Sequence, residues 1–291
     1  MNDALIEFKG VTKSFGKNVV LNSLNLKIPK GKITGIIGAS GEGKSTILKM
    51  MVSFYKPSKG NIFYSGKNIL KDLREIKKIF GIAIEDGSFY EDLTVKENLL
   101  HFGRLYHVKR KILKKRAKAM EYFVGLDKAE NVLAKNLSLG MKKRLDLACS
   151  LVHKPSVLIL DEPTADLDPL LRKQLRHLIK KVNSHGTTVV LTTQFMSEAD
   201  EICDKVAVLY NEKISVEGTP SQLKKKYNSK DMDNVFEKIF SNKARKTYQE
   251  SSKVKTKIKK EKSKVGQKDP WSVLEEKIEL NTKAGKYKDD F

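Results

Sequence analysis

The sequence predicts an α/β fold built around a mainly parallel β-sheet, and two observations indicate it. First, short apolar runs of strand length alternate along the chain with stretches whose apolar residues recur at helical spacing. Second, a glycine-rich loop at Gly38–Thr46 joins an apolar run at 32–37 to a helix-like run at 46–51. Strands that alternate with helices favour a parallel sheet with helices on both faces.

The glycine-rich loop fits G-x-x-x-x-G-K-[ST], the pattern of a phosphate-binding P-loop. Its glycines allow consecutive N–H groups to turn onto an anion, and the helix that follows presents further N–H groups. Lys44 would reach the β- and γ-phosphates, and the Ser45 hydroxyl would hold Mg²⁺. A strand–helix turn without a ligand is the plain alternative, and the complete motif in this context argues against it. The predicted nucleotide-binding residues are therefore Gly38, Ala39, Ser40, Gly41, Glu42, Gly43, Lys44, Ser45 and Thr46.

The segments around the loop predict an N-terminal antiparallel β subdomain. Residues 5–9 and 20–28 alternate apolar and polar side chains, which is typical of half-buried strands. A turn after the first helix leads to a short strand pair at 61–64 and 67–69. Residues 80–84 are apolar enough to form a buried strand.

From Thr94 to about Val124 the apolar spacing becomes helical, and a further helix is expected from near Gly140. We predict a helical insertion at about 94–153. After it the chain returns to alternating elements, with Lys205–Tyr210 read as the last buried strand. The predicted elements are strands at 157–160, 187–192 and 205–210 and helices at 169–183, 197–203 and 231–240.

The C-terminal part of the chain differs in composition from the rest. We predict one ATP-binding domain at 1–240 and a lysine-rich, disordered tail at 241–291. Within that tail, residues 271–280 have helical apolar spacing. They are expected either to form a short helix that docks on a partner or to remain a loosely folded terminus.

The formal net charge of +22 raises the possibility of a nucleic-acid or anionic-membrane partner. Much of the excess lies in the tail and in basic clusters at 109–118 and 224–226, so a solvated lysine-rich surface is preferred and no specific nucleic acid is expected. Cys149 and Cys203 lie in apolar surroundings without metal-ligand spacing, which favours core thiols in a reducing cytosol. The start lacks a signal-peptide pattern, and no apolar run approaches the length that spans a bilayer.

Two acids follow the apolar run at 157–160, namely Asp161 and Glu162. In a P-loop protein that end of the strand lies beside the phosphate loop. Asp161 would help to hold Mg²⁺, and Glu162 would orient or polarise the attacking water. Many strands end in acids, so this pair acquires its meaning from the P-loop upstream.

From Ala4 to Phe240 the sequence resembles the ATP-binding subunits of ABC transporters, of the multidrug and antibiotic-export branch. Phe15 matches the aromatic that the family stacks on adenine. Ser138 and Gly140 match its signature loop, and Glu162 its catalytic glutamate before the D-loop at 163–168. On residues alone, Phe15 would be a buried strand-end aromatic, and Ser138, Asp166 and Asp168 would be helix caps.

Three positions depart from the family pattern. Glu85 occupies the place of a glutamine that touches Mg²⁺, and it adds negative charge beside the γ-phosphate. Leu139 replaces the first glycine of the signature. Gln194 replaces the switch histidine, and an amide binds a phosphate or water without titrating near neutral pH.

The resemblance implies a cytoplasmic ATPase that binds ATP and Mg²⁺ at the inner face of a membrane. Its P-loop side would supply Phe15, Glu85, Asp161, Glu162 and Gln194, while Ser138 and Gly140 would close over the nucleotide of another protomer. It would form a homodimer or heterodimer and drive export through separate membrane-spanning subunits. The basic tail would bind an anionic membrane surface. There are two alternatives: an ABC-type ATPase that acts on nucleic acid or ribosomes, and a regulator with little hydrolysis.

Overall fold

Two β-sheets organise the part of the chain that the computed structural model describes, which is residues 4–70, 78–85 and 87–241. Residues 1–236 form one unit and residues 237–291 another, and the sheets belong to the first. Together with the helices, they give the α/β architecture that the sequence predicts.

The first sheet is antiparallel and has the strand order β2–β1–β4–β5. In β1 the side chains of Ile6 and Phe8 are buried, while those of Glu7 and Lys9 are more exposed. This alternation places one face of the sheet on the core and leaves the other toward solvent. The strands are β1 (Ala4–Phe15), β2 (Asn18–Pro29), β4 (Lys59–Tyr64) and β5 (Lys67–Asn68).

The second sheet has six strands in the order β10–β9–β3–β8–β7–β6. All neighbouring pairs are parallel except β9 and β10, which are antiparallel. Strands β3, β7 and β8 are buried along their whole length, which explains why apolar and polar residues do not alternate along them. The strands are β3 (Ile33–Ile37), β6 (Phe80–Ala83), β7 (Val157–Asp161), β8 (Thr188–Thr193), β9 (Lys205–Tyr210) and β10 (Lys213–Gly218).

Lys205–Tyr210 is the last buried strand, as predicted, but the sequence analysis did not predict the further strand β10. The turn between β9 and β10 consists of Asn211 and Glu212, both with positive φ values, 47° and 65°. A two-residue turn of this kind matches the twist of a hairpin. Glu212 is not the glycine that usually marks such a turn, and β10 is a half-buried edge strand with a weak apolar pattern.

Helices accompany the sheets throughout the described part of the chain, and residues 232–241 are also helical. Side chains define several of the starts, as at Thr94 and Thr219, which form capping boxes with Glu97 and Gln222. The helices are α1 (Lys44–Met51), α2 (Val95–Leu105), α3 (Arg110–Val124), α4 (Leu139–Leu151), α5 (Pro169–Ser184), α6 (Met196–Ile202) and α7 (Pro220–Lys226).

Helices α2, α3 and α4 enclose an apolar cluster of their own, separate from the cluster between the sheets and α1. Its buried residues include Val95 and Leu99 from α2, Leu113 from α3 and Leu145 from α4. The chain between β6 and β7 therefore folds around its own small core and approaches the parallel sheet mainly through α4, where β6 passes close to the helix.

Both cysteines are free and buried, as the sequence predicts. Burial raises the pKa of Cys149 and of Cys203, so both remain protonated thiols near neutral pH. Across the described ranges, no helix combines the length and apolar character that crossing a membrane requires. The predicted tail beyond Ser241, with its expected helix at 271–280, lies outside the described residues.

Candidate functional site

A cavity of about 340 Å³ opens where neighbouring parallel strands end. Strands β3, β6, β7 and β8 all run in the same direction, so the residues that follow them meet at one edge of the sheet. The glycine-rich loop follows β3, and Glu85 follows β6. The lining residues are Val20, Ser40, Gly41, Gly43, Lys44, Ser45, Thr46, Glu85, Glu162 and Gln194.

The loop needs glycine at two positions on this wall. Gly41 and Gly43 have φ values of +82° and +99°, in the left-handed region that L side chains rarely adopt. A Cβ at Gly43 would also lie 2.8 Å from Val20 Cγ1. Gly43 caps α1, so the free N–H groups of that helix begin at the cavity wall, which favours an anionic ligand.

Lys44 is the cation of the cavity, and its side chain is almost completely buried. Its Nζ donates hydrogen bonds to the carbonyl oxygens of Gly38 and Ala39 at 3.0 and 3.1 Å. It also lies 3.2 Å from Glu162 Oε1. These contacts hold the ammonium group at the base of the loop, between the carbonyls and the catalytic candidate.

The acids at the end of β7 are held by one hydroxyl from β8. Thr192 Oγ1 donates to Asp161 Oδ1 at 2.6 Å and accepts the N–H of Glu162 at 3.0 Å. Glu162 has a φ of 46°, an unusual conformation for a residue that is not glycine and one that the surrounding contacts must stabilise. The bend points successive side chains differently: Glu162 lines the cavity, whereas Asp161 lies beside it, among residues packed under α4 and α5.

Gln194 and Glu85 complete the wall of the cavity. The backbone N–H of Gln194 donates to Glu162 Oε2 at 3.2 Å, so the end of β8 orients the carboxylate at the end of β7. Glu85 lines the cavity, and its backbone oxygen accepts a hydrogen bond from Lys143 Nζ at 2.6 Å. The structure therefore brings Glu85, Glu162 and Gln194 together around Lys44.

The predicted metal ligands suit Mg²⁺ only when a phosphate shares it. Among the described residues, no group of three or more His, Cys, Asp or Glu side chains is arranged to hold a metal ion. Ser45 and Glu85 present a hydroxyl and a carboxylate to the cavity, and Asp161 lies beside it with one oxygen engaged by Thr192. This donor set fits a cation that takes one or two carboxylates plus substrate phosphates and water.

Seven predicted residues lie outside the cavity lining: Gly38, Ala39 and Glu42 in the loop, Asp161 at the end of β7, and Phe15, Ser138 and Gly140 on other elements. Phe15 is 42% exposed at the end of β1 and contacts Tyr55 edge to face at 5.1 Å. Ser138 caps α4, accepting the N–H of Met141 at 3.4 Å, and Gly140 follows in the first turn. The capping role that the sequence allows for Ser138 is therefore present, as is that of Asp168 at the start of α5.

Sequence reasoning missed Val20, Thr192 and Tyr55. Thr192 is part of a buried strand, and nothing in its local pattern shows that its hydroxyl bridges two residues of β7. Tyr55 follows α1 and reaches Phe15 only through the fold, where Lys13 Nζ also lies 4.6 Å from the Phe15 ring centroid. An aromatic residue near the P-loop helix is the one signal that could have found Tyr55.

Comparison with known proteins places this geometry in a family. Residues 21–165 match the family model described as "ABC transporter". The chain is 35% identical over 239 residues to the probable multidrug ABC transporter ATP-binding protein YbhF of Escherichia coli K12, covering 82% of this chain but only 41% of that protein. It is 34% identical over 223 residues to the Nod factor export ATP-binding protein I of Rhizobium sp. strain N33, covering 77% of this chain and 73% of that protein.

A solved structure shares the fold. It is a dimeric ATP-binding cassette in a post-hydrolysis state, bound to ADP and phosphate, with a TM-score of 0.67 and 25% sequence identity. The match covers 74% of this chain and 98% of the other. The cavity at the strand ends, the glycine-rich loop and the matched relatives agree: the chain belongs to the family of ABC transporter ATP-binding proteins.

Proposed function

We propose that the protein binds and hydrolyses ATP, dimerises when ATP is bound, and drives export through separate membrane-spanning subunits. The position of Glu162 is the observation that supports hydrolysis best. Its carboxylate lines the cavity, lies 3.2 Å from Lys44 Nζ and accepts the N–H of Gln194. A carboxylate oriented from both sides beside a phosphate-binding loop is suited to position and deprotonate a water molecule.

The other residues of the cavity would bind the triphosphate. The N–H groups of the loop and of the start of α1 would donate to phosphate oxygens, and Lys44 would exchange its carbonyl partners for them. Ser45, Glu85 and Asp161 would hold Mg²⁺, which supplies positive charge to the phosphates when it is bound. Gln194 would donate its side-chain amide to the γ-phosphate or to the attacking water.

Dimerisation is supported by the two groups that stand apart from the cavity. Ser138 and Gly140 lie at the start of α4 and do not line the cavity of their own chain. The N–H groups at this end of the helix would therefore donate to a ligand bound elsewhere. In the proposed dimer they face the nucleotide bound to the other protomer. The solved relative with ADP and phosphate is itself dimeric.

Export is supported by relatives whose names include a multidrug transporter and a Nod factor exporter. The proposed partners are membrane-spanning subunits, so the protein would lie at the cytoplasmic face of the membrane. The second protomer is either another copy or a different ATP-binding subunit. The lysine-rich sequence after residue 240 would add attraction to an anionic leaflet.

Replacing Glu162 with Gln tests the proposal. The variant keeps the size of the side chain and removes the charge that would activate water, so ATP turnover should fall by at least about a hundredfold while an ATP-bound dimer accumulates. Phosphate release and size-exclusion chromatography with ATP measure the two effects. Glu217→Gln, on edge strand β10, is the matched control. Equal turnover by wild type and Glu162→Gln would refute the assigned role.

A measurement on the wild-type protein distinguishes the proposed function from the alternative, a regulator with little hydrolysis. It would form a tight ATP-dependent dimer and release no phosphate, even with membrane partners present. Ordinary turnover by the wild type excludes it.

A further inference from the structure

Helix α4 contacts both β6 and the residues that follow β6, at several points along the length of the helix. Near its C-terminal end, Gly81 of β6 passes so close that a Cβ there would lie 2.0 Å from the Ser150 carbonyl oxygen. One turn earlier, Asp146 Oδ1 accepts the backbone N–H of Ser88 at 2.8 Å. Nearer the start of α4, Lys143 Nζ donates to the Glu85 carbonyl oxygen at 2.6 Å.

Asp146 is an unusual residue for this place, because its side chain is almost completely buried. A buried carboxyl group costs free energy unless it makes hydrogen bonds, and here it satisfies a backbone N–H in a loop. Burial raises its pKa to about 7, although the Ser88 N–H and the Lys143 charge both favour the ionised form. The contact therefore requires an explanation beyond packing.

These contacts connect two parts of the proposed site that serve different nucleotides. Glu85 lines the cavity of its own chain. Ser138 and Gly140, at the start of the same α4, would close over the nucleotide of the other protomer. Since α4 is a continuous helix, a displacement of Glu85 would reach its N-terminus through Lys143 and Asp146.

We propose that Lys143 and Asp146 are positioning residues that fix the backbone groups of Glu85 and Ser88 against α4 and so couple the nucleotide in one cavity to closure over the next. This inference rests on the proposed dimer. It assigns these residues no contact with ATP itself.

The test uses the Glu162→Gln protein as parent and compares four further substitutions in it. Lys143→Met removes the donor to Glu85, and Asp146→Leu removes the acceptor of the Ser88 N–H. Asp146→Asn keeps an acceptor oxygen and should restore the contact. Lys180→Met, on the exposed side of α5, is the matched control for a lost lysine charge.

Three quantities are measured for each protein: the affinity of the monomer for a fluorescent ATP analogue, the ATP concentration at half-maximal dimerisation, and the melting temperature. We expect Lys143→Met and Asp146→Leu to raise the ATP concentration for dimerisation about threefold to tenfold, the cost of one lost hydrogen bond. Monomer affinity should stay within about twofold, because the P-loop is untouched. Asp146→Asn and Lys180→Met should match the parent in monomer affinity and in the ATP concentration for dimerisation.

Unchanged dimerisation in Lys143→Met and Asp146→Leu would overturn the inference and leave the proposed function standing. An Asp146→Asn protein as impaired as Asp146→Leu would also overturn it, as would a parallel loss of monomer affinity. If the Glu162→Gln parent forms no dimer with ATP, the proposed dimer fails, and the inference fails with it.

Discussion

Replacing Asp146 with Asn should make the stability of the protein less dependent on pH. Burial raises the pKa of Asp146 from its ordinary 3.8 to about 7 in the folded protein. Between these values the unfolded chain is ionised while the folded chain keeps its proton, so stability falls as pH rises from about 4 to about 7 and is level above it. The groups around it are Lys143 and Cys149 on its own helix, the Ser88 N–H, and Asp161 in the same packed region.

The expected effect follows from these two pKa values. The penalty from Asp146 is about 1.7 kcal/mol at pH 5 and about 4 kcal/mol at pH 8, so it grows by roughly 2–3 kcal/mol over that interval. Asn cannot ionise and keeps an oxygen for the Ser88 N–H. The stability of Asp146→Asn relative to wild type should therefore rise by that amount between pH 5 and pH 8.

Urea unfolding at several pH values measures the difference, with the midpoint and slope fitted together. Asp233→Asn is the control, since Asp233 is exposed and should give a difference that hardly changes with pH. A stability difference for Asp146→Asn that stays within about 0.5 kcal/mol from pH 5 to pH 8 would refute the reasoning, because it would mean that Asp146 is not held neutral by burial.

Three other predictions concern Glu85, Thr192 and His153. Glu85→Gln should strengthen ATP binding in the presence of EDTA by about fivefold or more, because it removes one negative charge from the cavity; a titration that shows no gain contradicts this. Thr192→Val should lower the unfolding free energy by about 1–3 kcal/mol, because its hydroxyl makes two hydrogen bonds. Thr34→Val should cost little or nothing, because the buried Thr34 hydroxyl has no hydrogen-bond partner within the described residues. Burial lowers the pKa of His153 to about 4 where it stacks on Tyr106, so an NMR titration should find it neutral at pH 5. The free energy of unfolding should fall as pH drops below about 6.5, because the unfolded chain gains this proton before the folded chain does.

The P-loop and the acids after β7 could be predicted because their chemistry depends on neighbouring residues in the chain. The torsions at Gly41 and Gly43 and the strand that ends at Asp161 are local features with strong sequence patterns. Strand β10 was missed for the opposite reason, because Glu212 in the turn before it has a positive φ that this residue type rarely adopts.

The contacts that orient the site join residues far apart in sequence. Thr192 reaches Asp161 across 31 positions, and Lys143 reaches Glu85 across 58. The local sequence around Thr192 predicts only a strand residue, and that around Lys143 predicts only a lysine on a helix surface. Only the register of β7 beside β8 and the packing of α4 on β6 turn them into parts of one site. The sequence could therefore predict several of the groups that line the cavity, and not how they are held.

The charges around the cavity show what Glu85 changes. Lys44 contributes one positive charge and Glu162 one negative charge, and the two form an ion pair. Glu85 adds a second carboxylate that makes no ion pair within the described residues, so the lining side chains carry a net negative charge before a triphosphate enters. The N–H groups at the start of α1 offset part of this repulsion, but as partial charges they do not balance a polyanion.

A divalent cation shared by Glu85 and the phosphates is the arrangement that removes the repulsion between them. We therefore expect Glu85, at the position where the resemblance implies a glutamine, to increase the dependence of nucleotide binding on Mg²⁺. It would do so without disturbing Glu162, whose contacts come from Lys44 and from the end of β8.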